Sequence, residues 1–194
     1  DNNSSDGTPD LVAENFPDIQ LIRAGANLGF SKANNLALAG ANGRFLLLLN
    51  PDTVATPEAF SKLIRFAASK PNLAAVSPLL TDDQGEPTIT YGYFPTPRFH
   101  WLGFIDPLRL LRHFGLHERV VHVPDRAQPS ETVDYIAGAC FLIPRPALEA
   151  VGLLDERFFL YFEETDWCLR AHALGQEIWY CAEVEIVHLE GRAA

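Results

Sequence analysis

The chain has 194 residues, of which 47% are hydrophobic and 21% charged. These values suit one globular domain with its own core and exclude a disordered or collagen-like chain. The formal net charge of −10 argues against nucleic-acid binding, which needs a basic surface. The three cysteines Cys140, Cys168 and Cys181 form no CxxC pair, so a reducing compartment is expected rather than a disulfide scaffold. No apolar run reaches the roughly 20 residues that span a bilayer.

The first 80 residues alternate between helical and extended patterns. Thr8-Pro9 and Thr56-Pro57 each place a capping threonine before a proline, so each predicts the start of a helix. The continuous apolar run Phe45–Leu49 predicts a strand buried on both faces, as in a parallel sheet. The other elements predicted here are a strand over residues 19–23, a helix over residues 30–41 and a strand over residues 73–77. This alternation predicts an α/β sheet with right-handed crossovers.

The pattern loosens between residues 81 and 130, where prolines and aromatic residues become frequent. The aromatic segment 91–116 is interpreted as a surface loop with an amphipathic helix packed on the core. The competing interpretation is an acceptor lid or a membrane-surface patch, because Arg98, Arg109 and Arg112 lie among apolar residues. After this segment the predicted elements are a strand over 133–143, a short helix from Pro146, a helix over 159–174, and strands over 178–181 and 184–187.

Asn50-Pro51-Asp52 follows directly after the predicted buried strand. In open α/β sheets, ligands bind outside the carboxyl ends of the strands. A carboxylate there can hold Mg²⁺ or Mn²⁺, with a diphosphate supplying further oxygen ligands. The alternative is an aspartate that only caps the next turn, and both interpretations stay open at this point.

Three carboxylates, Glu163, Glu164 and Asp166, lie within one turn at the start of a predicted helix. Mutual repulsion raises the pKa of such groups, which suits a general base. The alternatives are acids placed by the helix dipole and a plain ion pair between Asp166 and Arg170. His188, at the end of an apolar strand, becomes a metal-ligand candidate only beside Asp52.

Other site types find little support. DNNSSDGT has Asp6 and Val12 where a calcium loop needs Gly and Glu. His113 and His117 lack acidic or cysteine partners for zinc. The loop GANLG does not match the GxGxxG pattern of dinucleotide-binding proteins. A nucleotidyltransferase is disfavoured because the chain has no glycine-rich, basic phosphate loop.

Five segments stand in a characteristic order: DNNSSDGT, NLGFSKANN, LLLLNPDT, GACFLIPRPALEAVGLLDERFFLYFEETDWCLR and VEIVH. In this order they resemble family 2 glycosyltransferases, most closely the rhamnosyltransferase-like branch. The resemblance implies one domain over residues 1–194 with the GT-A fold, a mostly parallel central sheet flanked by helices. Within it, residues 1–80 would bind the nucleotide sugar, residues 81–130 would be variable, and residues 131–194 would form the acceptor and catalytic part.

The resemblance also implies roles for residues that bind the donor. Asp1 resembles the carboxylate that reads the nucleoside base, and Asn27, Gly29 and Lys32 resemble parts of the nucleotide-sugar cradle. Asn50-Pro51-Asp52 occupies the place of the DxD motif. Because Asn50 replaces the first aspartate of that motif, Asp52 would be the principal metal ligand and Asn50 would contact the ribose or the sugar.

Further roles concern the metal and the acceptor. His188 matches a histidine that completes the metal site. Glu164 stands where the general base is expected, with Asp166 in reserve. Gly138 and Ala139, followed by Cys140, fall in the acceptor-side strand, where small residues leave room for substrate.

The implied reaction is an inverting transfer of a sugar from a nucleoside-diphosphate sugar, dTDP- or UDP-linked, to a glycan or lipid-linked acceptor, assisted by Mg²⁺ or Mn²⁺. The expected location is the cytoplasm or the inner face of the membrane, with peripheral membrane contact. The family's first strand and helix are expected upstream of Asp1, so the chain is interpreted as truncated and poorly active alone. The competing function is a sugar-nucleotide-binding or interaction module without catalysis.

Overall fold

The structure is a computed structural model that describes residues 1–94 and 121–189. The helices are α1 (Thr8–Asn15), α2 (Gly29–Gly40), α3 (Pro57–Ala68), α4 (Arg145–Val151) and α5 (Glu163–Ala173). The strands are β1 (Phe45–Leu49), β2 (Thr53–Val54), β3 (Leu73–Thr81), β4 (Tyr91–Gly92), β5 (Val121–His122), β6 (Glu131–Val133), β7 (Tyr135–Ile136), β8 (Cys140–Pro144) and β9 (Glu177–His188). As predicted, Thr56 caps α3, accepting a hydrogen bond from Ala59 N at 3.2 Å.

The main sheet has the strand order β1-β8-β3-β9-β2, and β6 also pairs with β9. Strands β3 and β9 run parallel, whereas β8 lies antiparallel between β1 and β3. Strands β2 and β6 are also antiparallel to β9. The expectation of a mostly parallel sheet is therefore wrong for the described residues. The crossovers do give β1, β3 and β9 one direction, but β8 separates β1 from β3 and turns both neighbouring pairs antiparallel.

Two core layers cover the faces of this sheet. Successive residues of β8 point to opposite layers: Phe141 packs with α2, α4 and α5, whereas Leu142 packs with α3. Strand β1 alternates in the same way, with Leu46 buried and Leu49 exposed. The prediction that β1 is buried on both faces therefore holds for one face only: Leu46 and Leu48 are buried, whereas Phe45 and Leu47 pack against the second core layer but are only partly buried.

Three predicted boundaries differ from the structure for local reasons. Residues 19–23 form no strand: Asp1 N donates to Ile22 O and Ala24 N donates to Asp1 O, but these two bonds do not extend into a ladder among the described residues. The strand predicted over residues 133–143 is divided, because β6 and β8 belong to the main sheet while β7 pairs with β4 in a small second sheet. The two closing strands are one strand, β9, interrupted by an irregular register between Cys181 and Glu185.

Helix α5 begins four residues later than predicted. Tyr161 and Phe162 have φ angles of 69° and 74°, in the left-handed region that a right-handed helix cannot include. This turn leaves Tyr161 and Phe162 exposed and places Glu163 and Glu164 in the first helical turn. Within the described residues, no helix combines the length and the apolar character that crossing a membrane requires.

Candidate active site

The site lies at one edge of the main sheet, where strands end. Because β1, β3 and β9 share a direction, their carboxyl ends meet at this edge, and the antiparallel β8 begins there. Asn50 follows β1 and donates its backbone N–H to Ala139 O at 2.9 Å, one residue before β8. This bond joins the first half of the chain to the second at the site.

A tight turn after β1 brings Asp52 beside His188. The Thr53 hydroxyl donates to Asn50 O at 2.8 Å and fixes the turn. Thr53 then pairs with His188 in the antiparallel ladder between β2 and β9. As a result, His188 Nε2 lies 3.3 Å from Asp52 Oδ1, and both side chains are 17% exposed. The two residues predicted to bind a metal are thus adjacent although 136 positions separate them along the chain.

A pocket of about 360 Å³ opens next to this pair. The pocket is lined by Phe30, Asn50, Ile89, Ala137, Gly138, Ala139, Leu160, Tyr161, Glu163, Glu164 and His188. Five residues singled out from the sequence therefore share one cavity: Asn50, Gly138, Ala139, Glu164 and His188. A Cβ added to Gly138 would lie 3.7 Å from Phe30 Cζ, an ordinary van der Waals contact, so the pocket wall has room for a methyl group here.

The acidic start of α5 contributes two buried or partly buried carboxylates to the pocket. Glu163 and Glu164 both line the pocket, and Glu163 is only 4% exposed. Burial raises the pKa of Glu164 to about 7, and the nearby Glu163 carboxylate adds to this increase. Burial also raises the pKa of Glu163. An acid with a pKa near 7 can accept a proton at neutral pH and release it again.

Asp166 does not line this pocket. Its Oδ2 accepts a hydrogen bond from Arg170 Nε at 2.9 Å, the ion pair that the sequence offered as an alternative. Arg170 also donates to Val151 O at 2.7 Å and to Leu153 O at 2.9 Å. Asp166 and Arg170 thereby join α5 to the end of α4 and to the segment that follows it, so this ion pair supports the fold.

The residues predicted to cradle the nucleotide lie apart from the 360 Å³ pocket, at the start of α2 and around Asp1. The Asp1 carboxylate accepts from the backbone N–H groups of Asn3 and Ser4 at 3.0 to 3.2 Å. Asp1 also lines a second hollow, of about 170 Å³, against one face of α2. Lys32 is exposed on α2.

Asn27 and Gly29 shape the loop before α2. Asn27 Oδ1 accepts hydrogen bonds at 3.0 Å from Gly29 N and from Asn2 Nδ2. Gly29 has a φ of 80°, and a Cβ on it would lie 2.5 Å from Phe159 O. Gly29 therefore lets this loop approach the segment before α5, and Phe30 N donates to Phe159 O at 2.7 Å.

Three residues with clear structural connections were not assigned roles from the sequence. Asn2 Oδ1 accepts from Leu28 N at 2.8 Å and holds the loop before α2. Asn35 is buried in α2 and exchanges hydrogen bonds with the backbone of Leu154. Glu163 was considered only as part of the acidic cluster. Asn35 lies one turn after Ser31 on the buried side of α2, but both residues are polar, so the hydrophobic pattern gives no signal for either.

Asp52 and His188 fit a divalent cation whose remaining ligands come from a substrate. The described residues contain no group of three or more His, Cys, Asp or Glu side chains arranged to hold a metal. Asp52 and His188 supply one carboxylate and one imidazole, which suits Mg²⁺ or Mn²⁺ only if other oxygen ligands complete the shell. The predicted lid or membrane patch and the His113–His117 pair fall almost entirely in residues 95–120, outside the described residues.

Comparison with known proteins identifies the family. Residues 1–152 match the profile described as Glycosyl transferase family 2. The chain is 28% identical to an N-acetylglucosaminyl-diphospho-decaprenol L-rhamnosyltransferase of Mycobacterium tuberculosis, an alignment covering 97% of this chain and 64% of that protein. It is 30% identical to a low-salt glycan biosynthesis hexosyltransferase of Haloferax volcanii, covering 88% of this chain and 52% of that protein. The chain thus spans between half and two-thirds of these relatives.

One solved structure shows the same fold. A mannosyltransferase from Pyrobaculum calidifontis, determined with GDP-Man and Mn²⁺, superimposes with a TM-score of 0.63 at 20% sequence identity. The superposition covers 100% of this chain and 47% of that one. It confirms the expected GT-A fold, and the sequence relatives confirm the resemblance to the rhamnosyltransferase-like branch.

Proposed function

The chain belongs to glycosyl transferase family 2, and from this premise we propose that it transfers a sugar from a nucleoside-diphosphate sugar to a hydroxyl of a glycan or lipid-linked acceptor, with inversion. The observation that carries the proposal is the shared pocket. A carboxyl group with a pKa near 7, two small residues and the His188–Asp52 pair meet at one sheet edge. Such an edge is where ligands bind in open α/β sheets.

In this proposal Asp52 and His188 hold the divalent cation together with the donor's diphosphate. The metal, when bound, neutralises the negative charge that develops on the departing diphosphate. Asn50 contacts the ribose or the sugar beside it. Asp1, Asn27, Gly29 and Lys32 bind the nucleotide, while the 360 Å³ pocket receives the transferred sugar and the attacking hydroxyl.

Glu164 acts as the general base. Its carboxylate accepts the proton of the acceptor hydroxyl as the hydroxyl oxygen attacks the anomeric carbon. Burial disfavours the ionised form of Glu164 and so makes the carboxylate a stronger base than an exposed glutamate. Gly138 and Ala139 line the same pocket, and their small size leaves space for the acceptor.

The acceptor is proposed to be membrane-associated, with the protein on the cytoplasmic side. Support comes from the Mycobacterium tuberculosis relative, whose name specifies a diphospho-decaprenol lipid. Further support comes from exposed apolar side chains at the pocket rim, where Leu160 is 51% and Tyr161 70% exposed. An acidic chain with net charge −10 is not proposed to bind nucleic acid.

The test is a binding titration of the chain with dTDP, UDP and GDP, each in Mn²⁺ and in chelator. We expect one diphosphate to bind tightly only with Mn²⁺, and Asp52→Ala to weaken this binding at least about 10-fold, the loss of one charge-assisted metal contact. Asp18→Ala is the matched control, because Asp18 is an exposed acid outside the pocket and its removal changes the net charge equally.

The outcomes separate the two candidate functions. Metal-dependent binding together with transfer of the sugar supports the enzyme. Binding with no transfer by a folded chain, for any acceptor tried, favours the sugar-nucleotide-binding module. Equal binding by wild type and Asp52→Ala contradicts the proposed metal site.

A further inference from the structure

Glu163 presents a buried carboxylate with one unpaired oxygen. The residue is 4% exposed and lines the 360 Å³ pocket as the first residue of α5. Its Oε2 has no hydrogen-bond partner among the described residues. Buried polar groups in native proteins are nearly always paired, and an unpaired carboxylate is among the costliest exceptions. A residue kept in this state calls for a partner that arrives with a ligand.

The surroundings limit what that ligand group can be. The pocket that Glu163 lines combines apolar side chains and the small residues Gly138 and Ala139 with three polar side chains, those of Asn50, Glu164 and His188. No described lysine or arginine lines the pocket, so no side chain there supplies a counter-charge to Glu163. The proposed cation is assigned to Asp52 and His188, which leaves a neutral O–H donor of the substrate as the partner of the Glu163 carboxylate. Sugar rings carry several such donors on adjacent carbons.

The place of Glu163 relative to Glu164 specifies the geometry further. The two residues are consecutive in the first turn of α5, so their side chains leave the helix about 100° apart. Both nevertheless line the same pocket. A hydroxyl held by Glu163 would thus belong to the same substrate assembly as the hydroxyl that Glu164 deprotonates, but to a different carbon.

We propose that Glu163 is a specificity-determining residue that accepts a hydrogen bond from a sugar hydroxyl in the pocket, other than the hydroxyl that reacts. The inference rests on the proposed function and deepens it, because it names a group on the substrate that the site reads. The hydroxyl belongs either to the transferred sugar or to the acceptor sugar. A substrate lacking it leaves the buried carboxylate unpaired and is rejected.

The test compares Glu163→Gln with wild type in binding and in transfer. Glutamine keeps the volume of the side chain and removes the charge, so the fold is expected to persist. Glu149→Gln is the matched control, since Glu149 is an exposed glutamate on α4. The binding probes are dTDP with dTDP-L-rhamnose, UDP with UDP-N-acetylglucosamine, and GDP with GDP-mannose, all in Mn²⁺. The acceptor probe is a short-chain N-acetylglucosaminyl-diphospho-lipid.

If the hydroxyl belongs to the transferred sugar, Glu163→Gln binds the free diphosphate like wild type and binds the matching nucleotide sugar about 10- to 100-fold more weakly, the loss of one charge-assisted hydrogen bond. If it belongs to the acceptor, nucleotide-sugar binding is unchanged and the KM for the acceptor lipid rises by a similar factor. In either case Glu163→Asp, which keeps the carboxylate on a shorter arm, gives a smaller effect.

Two results overturn the inference in distinguishable ways. If wild type binds diphosphate and transfers sugar, and Glu163→Gln matches it in donor affinity and acceptor KM, the inference is wrong and the proposed function stands. If wild type binds none of the three diphosphates, the proposed function fails and the inference falls with it. Circular dichroism of both variants shows that any loss is not a loss of fold.

Discussion

Glu164 combines two properties that oppose each other. Burial in the pocket wall raises its pKa to about 7 from the ordinary glutamate value of 4.5. The ionised form, which the proposed general base requires, is therefore the form that the folded protein tolerates less well. An acid whose pKa is higher in the folded than in the unfolded chain retains its proton in the folded state across the interval between the two values. Stability thus falls as the pH rises from about 4.5 to about 7.

This opposition predicts that Glu164→Gln yields a more stable and less active protein. The variant cannot ionise, so its advantage over wild type is small near pH 4.5 and grows to about 3 kcal/mol of unfolding free energy at pH 8. Sugar transfer falls about 10²- to 10⁴-fold because the base is lost. Urea unfolding at several pH values measures the first effect. Parallel pH profiles for the two proteins would contradict the assigned pKa shift.

The contrast between Glu163 and Glu164 shows how much of the site can be predicted from a residue pattern. The sequence drew attention to the acidic cluster and to Asp52 and His188, and the structure brings all but Asp166 to one edge. The sequence could not show which acid is buried without a partner. That depends on the left-handed turn at Tyr161 and Phe162, which sets where α5 starts and thus which side each acid faces. Neither residue type favours a positive φ, so no local signal announces the turn.

At the level of elements, the sequence predicted most helices and the main strands but not their pairing. Hydrophobic period and capping signals are local, and they placed α2, α3 and β1 within a few residues. Strand order is a long-range property. Strand β8 inserts between β1 and β3, a pairing that the alternating pattern of the first 80 residues does not contain.

The contact between the start of α2 and the segment before α5 requires a glycine at position 29. Gly29 opens α2 with a φ of 80° and approaches Phe159, whose carbonyl oxygen would lie 2.5 Å from an added Cβ. Gly25, four residues earlier, has a φ of 74° but nothing within 4 Å of an added Cβ. The two glycines share the same backbone restriction, and only Gly29 has the steric one.

We therefore expect Gly29→Ala to destabilise the protein more than Gly25→Ala. Alanine in the left-handed region costs about 1–2 kcal/mol at either position. At Gly29 the overlap with Phe159 adds about 1–3 kcal/mol, for a total of about 2–5 kcal/mol. Thermal or urea unfolding of both variants measures the difference. Equal losses would mean that the segment before α5 moves aside at little cost and that the close approach is not needed.

At the scale of the whole molecule, the site exists only when both halves of the chain are docked. Asn50 and Asp52 come from the first half, whereas Gly138, Glu164 and His188 come from the second. The junctions are long-range backbone contacts such as the ladder between β3 and β9. The family's sequence motifs mark the residues, but the distances between them follow from this docking, which short-range patterns cannot specify.

Asn35 provides the clearest test of that docking. From α2 its Nδ2 donates to Leu154 O at 2.9 Å, and its Oδ1 accepts from Leu154 N at 3.1 Å, across 119 positions. Asn35→Leu would leave both buried backbone groups unpaired, so we expect a loss of about 2–5 kcal/mol of unfolding free energy. Asn34→Leu is the matched control. It removes only the bond from Asn34 to Phe30 O within α2, and we expect a loss within about 1 kcal/mol.

Nucleotide affinity, measured on both variants below their unfolding temperatures, relates this junction to the site. The loop before α2 and the segment before α5 are already joined through Phe30 and Phe159. Loss of the Asn35–Leu154 contact would let both segments move. The loop before α2 carries part of the proposed nucleotide cradle, and the segment before α5 leads into the acidic start of that helix. Asn35→Leu should therefore weaken Mn²⁺-dependent diphosphate binding while Asn34→Leu does not. Unchanged affinity in a destabilised Asn35→Leu protein would show that the junction supports the fold without setting the geometry of the site.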